Sequence, residues 1–159
     1  MKLRNMTSVY FYNASGLLCL YRLGSRVADH MYIGSAGGHF EEGELNDPRK
    51  CVLREMEEEL GLTEEDISGL TLRYITLRLK NGEIRQNYYF FAQLKEGREL
   101  HSSEGILRWV PYEEVPNLEM PASAREMLLH YLKEGRFTTH LYGAVTREKN
   151  TDFVILEEF

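Results

Sequence analysis

A chain of 159 residues suits a single domain over 1–159 with its own hydrophobic core, and 43% apolar with 28% charged residues is an ordinary soluble composition. The formal net charge of −6 argues against duplex nucleic acid as a partner, since phosphate contacts favour a basic surface, but a single nucleotide needs only a local cluster of cations or a metal. No apolar run approaches the roughly 20 residues of a membrane span, no basic-then-apolar leader opens the chain, and Cys19 and Cys51 lack metal-type spacing, so the expected setting is a reducing cytoplasm without membrane association.

Residues 4–12 and 17–23, rich in Val, Leu and aromatics, predict a hairpin across the turn signal "NASG". Residues 24–47 are Gly-rich and read mostly as loop, with a short strand at 31–33. A helix is predicted over Pro48–Leu60: Asp47 is a good N-cap, Pro48 fits the first turn, and Gly61 fits a left-handed C-terminal cap. Residues 71–79 and 86–94 predict two strands joined through Asn81-Gly82, a tight-hairpin pair. "ILRWVPY" reads as another short strand and 121–134 as a second helix, with Ala124, Met127, Leu128 and Tyr131 as its packing face. Two further strands are expected in "HLYGAVT" and "DFVILEEF". Strands interleaved with two helices imply an α/β layered fold.

The first helix carries an unusual load of acid. With about 100° per residue, Glu55, Glu58 and Glu59 share one arc, while Val52, Leu53, Met56 and Leu60 form a separate apolar stripe and Glu57 lies elsewhere. Three carboxylates spaced i, i+3 and i+4 repel one another. Such an arc is either a solvated face or a site for a hard divalent cation, which takes oxygen ligands and shares its shell with phosphates. The preceding loop favours the second reading. Gly37 and Gly38 permit close backbone approach, and Glu44 and Arg54, of opposite sign, are placed to pair and brace the loop against the helix.

These residues resemble the signature of the Nudix hydrolases: Gly, five residues, Glu, seven residues, then Arg-Glu-U-x-Glu-Glu-x-Gly-U, where U is bulky and aliphatic. Gly38 and Glu44 match the first part, and Arg54, Glu55, Met56, Glu58, Glu59, Gly61 and Leu62 match the second in order. Nine residues rather than seven separate Glu44 from Arg54, and Ala36 stands where the family often has proline. The resemblance implies a Nudix-type α/β/α sandwich around a mixed β-sheet. It also implies Mg²⁺-dependent hydrolysis, with Mn²⁺ as the alternative ion, of a small-molecule nucleoside diphosphate derivative. The MutT-like form of that activity takes a nucleoside triphosphate, ordinary or oxidised, to monophosphate and pyrophosphate. Rival readings are an ADP-ribose, dinucleoside polyphosphate or RNA 5′-end enzyme, or a nucleotide-sensing module that does not turn over. Monomer and homodimer both remain open.

Carried over by motif position, Glu55, Glu58 and Glu59 are the expected metal ligands, with the Gly38 carbonyl as one more, and Glu44, Arg54 and Gly61 are structural. Outside the motif, Glu104, in a polar loop, is the candidate base. Arg22, just after an apolar strand, is the candidate phosphate contact, with Arg26 a weaker one. Trp109, Tyr88 and Tyr89 are candidates to stack a base, although aromatics on strands are more often core. Cys51 reads as packing, and His39, beside Gly38, as a bystander.

Overall fold

The computed structural model describes residues 1–24, 29–95 and 99–157; Arg26 lies outside them. Nine strands form one mixed sheet among these residues: β1 (Lys2–Tyr12), β2 (Gly16–Arg22), β3 (Tyr32–Ile33), β4 (Ala36–His39), β5 (Ile67–Lys80), β6 (Glu83–Leu94), β7 (Gly105–Pro111), β8 (Leu141–Thr146) and β9 (Thr151–Leu156). Their order is β3-β2-β1-β6-β5-β8-β9, with β4 also on β1 and β7 on β2. The β1–β6 and β5–β8 pairs are parallel and the others antiparallel. Helices α1 (Pro48–Leu60) and α2 (Ala122–Lys133) cover opposite faces.

The layering follows from strand pleat. Successive side chains point to opposite faces, so a run buried on both sides is apolar throughout. Val9 and Phe11 of β1, with Phe90 and Ala92 of β6, pack on Val52, Met56 and Leu60 of α1. Tyr10, Tyr89 and Phe91 point the other way, onto Met127, Leu128 and Tyr131 of α2. The α/β/α sandwich expected from the sequence is the observed fold.

Local signals acted as read. The Asp47 side chain accepts from Lys50 N at 3.0 Å, and Gly61, at φ 67°, closes α1 by donating to the Glu57 carbonyl. Asn81 and Gly82 take φ 52° and 71° in the β5–β6 turn. Asn13 Oδ1 accepts from Ser15 N and Gly16 N between β1 and β2.

Two expectations are corrected. The 24–47 segment is not mostly loop through its Gly pair: Ala36–His39 forms β4, antiparallel to β1, with Ser8 opposite Gly37 and Thr7 opposite Gly38. Glycine is needed there because a Cβ on Gly37 would stand 2.2 Å from the Thr7 carbonyl oxygen. Trp109 is not core; it is 42% exposed on β7. The buried Ser35 closes the gap where β2 leaves β1 and β4 begins, accepting from Phe11 N at 3.1 Å and donating to the Leu18 carbonyl at 2.5 Å.

Candidate active site

The helix stripe that packs on the sheet sets where the acids go. With Val52, Met56 and Leu60 buried, the neighbouring arc of α1 is turned toward β4. A Cβ on Gly38 would lie 2.4 Å from the Glu55 carboxyl carbon, so the glycine pair lets the strand press directly onto that carboxylate. Gly37 N donates to Glu59 Oε2 at 3.3 Å. Burial pushes the Glu59 carboxyl up to about 7; the Gly37 bond opposes this, and the charges of Glu55 and Glu104 add to it.

Arg54 ties these groups together. Its Nε donates to Glu44 Oε1 at 2.7 Å and its Nη2 to Glu44 Oε2 at 3.1 Å, a bidentate pair of the strong kind. Nη2 also reaches the His39 carbonyl at 3.0 Å, while Nη1 reaches Glu55 at 2.9 Å and Glu58 at 3.2 Å. Glu44 is 3% exposed, and the guanidinium beside it holds its carboxyl down at about 2. The structure therefore brings Glu44 and Arg54 into the brace that their charges suggested.

The three acids of the arc do not converge as one cluster. Glu55 is tucked against Gly38, Glu59 turns into a cleft, and Glu58, 56% exposed at its side chain, faces outward on Arg54. Among the described residues no three His, Cys, Asp or Glu side chains form a ready cage. Repulsion explains the spread, since the guanidinium lies between Glu55 and Glu58 and offsets both charges. The donor set still fits a hard divalent cation. Its atoms are carboxylate and carbonyl oxygens, the glycine cradle admits them without a Cβ, and Mg²⁺ keeps several waters rather than demanding a full protein cage.

The cleft beside Glu59 has a volume of about 150 Å³ and is also lined by Gly37, Arg22 and Glu104. Antiparallel pairing of β2 with β7 puts Arg22 opposite Gly105, and so brings Arg22 Nη2 to 3.5 Å from Glu104 Oε2. Two residues 82 positions apart in sequence, singled out separately, thus share one wall with Glu59. Tyr89 is core and lines the cleft at once, whereas Tyr88 packs on Phe40 at 5.3 Å between centroids. Cys51 is buried, with its Sγ 3.4 Å from Thr7 Oγ1. Gly61 serves only to end α1.

His39 is held by Arg4. Arg4 Nη2 lies 2.9 Å from His39 Nε2, which must carry a lone pair to accept, and burial followed by the Arg4 charge lowers the imidazole's affinity for a proton. Arg4, Arg85 and Asn87 also line the cleft and were not legible from sequence. The usable signal was the alternation along "RNMTSVY" and "EIRQNYY", which needed the parallel register of β1 and β6 to be read.

Several solved structures share this fold. The mutator MutT protein of Bacillus halodurans superimposes with a TM-score of 0.69 at 23% identity, covering 96% of this chain and 97% of that one. A Nudix hydrolase from Nitrosomonas europaea gives 0.72 at 13% identity, covering 92% and 80%, and the Caenorhabditis elegans Ap4A hydrolase gives 0.63 at 18%, covering 82% and 95%. A sequence model of the NUDIX domain matches residues 2–131, which include β1 through most of α2 and every residue of the acidic helix and cleft described above. The chain belongs to the Nudix hydrolase family.

Proposed function

We propose that this enzyme hydrolyses a nucleoside triphosphate, ordinary or oxidised, to the monophosphate and pyrophosphate, with Mg²⁺ as its working ion. Nudix hydrolases act on small nucleotide substrates and generally use divalent metal ions, and the finer assignment is ours. The observation that carries it is the Gly37–Gly38 strand pressed onto Glu55 and Glu59 at the wall of a cleft that also holds Arg22.

Glu55, Glu58, Glu59 and the Gly38 carbonyl would hold the ion. When bound, it neutralises the phosphates and makes a water acidic enough to attack. The protein's own groups do the rest. Arg22 meets a phosphate oxygen, and Glu104 accepts the water's proton from across the same wall, freed from Arg22 as the phosphate replaces it. Glu44 and Arg54 act as positioning residues: they fix the 40–47 loop to α1, so that Glu55 stays under the glycines. The apolar part of the cleft, lined by Leu20, Ile33, Tyr89 and Pro121, takes the base and excludes water from it.

The test is turnover of a panel with Mg²⁺: ordinary and 8-oxo purine triphosphates, ADP-ribose and a dinucleoside tetraphosphate, with phosphate and pyrophosphate measured separately. Monophosphate plus pyrophosphate from a triphosphate is the expected result. Preference for ADP-ribose or the dinucleotide would replace the triphosphate assignment, and saturable binding without turnover would point to a sensing module.

A further inference from the structure

We infer that Arg4 and Arg85 form a second anion subsite in the cleft, one that selects phosphate chains of three or more over a diphosphate joined to a sugar. This rests on the reading that the cleft hydrolyses a nucleotide, and it names the class of nucleotide.

The parallel register of β1 and β6 sets Arg4 directly opposite Arg85, and both line the cleft. Like charges opposite each other on neighbouring strands repel, and this pair occurs in a chain whose net charge is −6. One carboxylate lies between them: Glu83 is 3.8 Å from Arg4 Nε and 3.1 Å from Arg85 Nε. It accepts a hydrogen bond from Arg85 Nε and stands at ion-pair distance from Arg4, so one negative charge serves two positive ones. Arg4 gives both Nε, at 3.3 Å, and Nη2, at 2.9 Å, to His39 Nε2, a neutral acceptor. Among the described residues, Arg4 Nη1 and both terminal nitrogens of Arg85 have no protein hydrogen-bond partner. The two forks are thus oriented from behind and left open in front, the form in which arginine takes phosphate.

Position along the strands makes this a length gauge. Gly37, beside Glu59, is opposite Ser8 of β1, while Arg4 lies four residues nearer the start of that strand, about 13 Å away at a strand's rise. Tyr10, which lines the cleft, lies two residues past Ser8 in the opposite direction along β1, and the paired Leu20 and Ile33 complete the apolar lining. A nucleotide with its base on those residues and its scissile link beside Glu59 therefore sends the rest of its phosphate chain toward Arg4 and Arg85. A diphosphate that ends in a sugar would place an uncharged ring against two cations.

The test measures binding of inorganic tripolyphosphate and pyrophosphate by calorimetry in Mg²⁺, for the wild type, Arg85→Gln, Arg4→Gln and Arg85→Lys, with melting curves to establish folding. The expected result is a preference of about tenfold or more for tripolyphosphate in the wild type. It should shrink to within about twofold in folded Arg85→Gln and recover in part in Arg85→Lys, which keeps the charge and loses the fork. A wild type with no length preference, or a folded Arg85→Gln that keeps it, would overturn the inference. Turnover of the nucleotide panel separates the two levels: a wild type active on triphosphates with no length preference loses only this subsite, whereas one inactive on every nucleotide loses the underlying reading as well.

Discussion

Adjacent glycines in β4 should respond to the same substitution in opposite ways. In Gly38→Ala the new Cβ meets only the end of the Glu55 side chain, at 2.4 Å from its carboxyl carbon and Oε1. To regain an ordinary contact the carboxylate must retreat by about 1 Å, against an Arg54 bond of 2.9 Å. A flexible side chain absorbs this, and alanine in a strand gains about 0.4–1 kcal/mol through the unfolded state. Net stability should therefore stay within about 1 kcal/mol of wild type, while a displacement of that size at a working carboxylate lowers turnover by roughly 100-fold. In Gly37→Ala the Cβ meets backbone, 2.2 Å from the Thr7 oxygen and 2.8 Å from Ser8 Cα, so the β1–β4 pairing must open. Overpacking of that kind costs about 1–3 kcal/mol, or roughly 2–12 °C in melting temperature for a chain of this size. Paired thermal melts and Mg²⁺-dependent turnover would check both. Full activity in Gly38→Ala, or equal loss of stability in the two variants, would refute the claim that Gly38 exists to admit Glu55.

Glu44 and Glu59 should move metal-free stability in opposite directions as pH changes. The folded Glu44 carboxyl sits at about 2 against an ordinary 4.5, so its contribution, at most about 3 kcal/mol, is complete above pH 4.5 and lost as pH falls toward 2. Glu59 runs the other way: held up to about 7, it makes stability fall as pH rises from about 4.5 to 7. Urea titrations across pH, read as differences from wild type, should isolate each: Glu44→Gln removes the loss between pH 4.5 and 2, and Glu59→Gln removes a fall between about 4.5 and 7. Glu58→Gln should remove most Mg²⁺-dependent activity yet change metal-free stability by no more than about 0.5 kcal/mol, the worth of an exposed i,i+4 pair with Arg54; near wild-type turnover would dismiss Glu58 as a ligand. Burial pushes the Cys19 thiol up to about 12 and that of Cys51 to about 11, so neither should react with a thiol reagent at pH 8 until denaturant is added.

What could be read from sequence was what local chemistry decides. The bounds of α1 came from Asp47, Pro48 and Gly61, each acting within one turn, and the acidic arc came from the helical period alone. The strand at Ala36–His39 was missed because Gly-Gly has little intrinsic strand preference; its pairing comes from β1, some thirty residues earlier. Glu104 and Arg22 were singled out one at a time, but their meeting depends on the β2–β7 register. Arg4 and Arg85 were not singled out at all, because an arginine on an exposed-looking strand end means nothing until the strand opposite is known. Trp109 shows the reverse error: an aromatic on a strand suggested core, and its face of β7 turned out half open.

Because Glu44 and Arg54 are joined through two hydrogen bonds, the chain between them forms a ring closed without a covalent bond. Closing such a ring depends only on the logarithm of its length, so nine intervening residues in place of seven cost about 0.2 kcal/mol. Residues added ahead of Pro48 lengthen the ring without rotating α1, since the helix starts anew from its cap at Asp47. The orientation of Glu55, Glu58 and Glu59 is thereby insulated from insertions in the segment before them. A further two-residue insertion between Asn46 and Asp47 should leave all three carboxylates where they are.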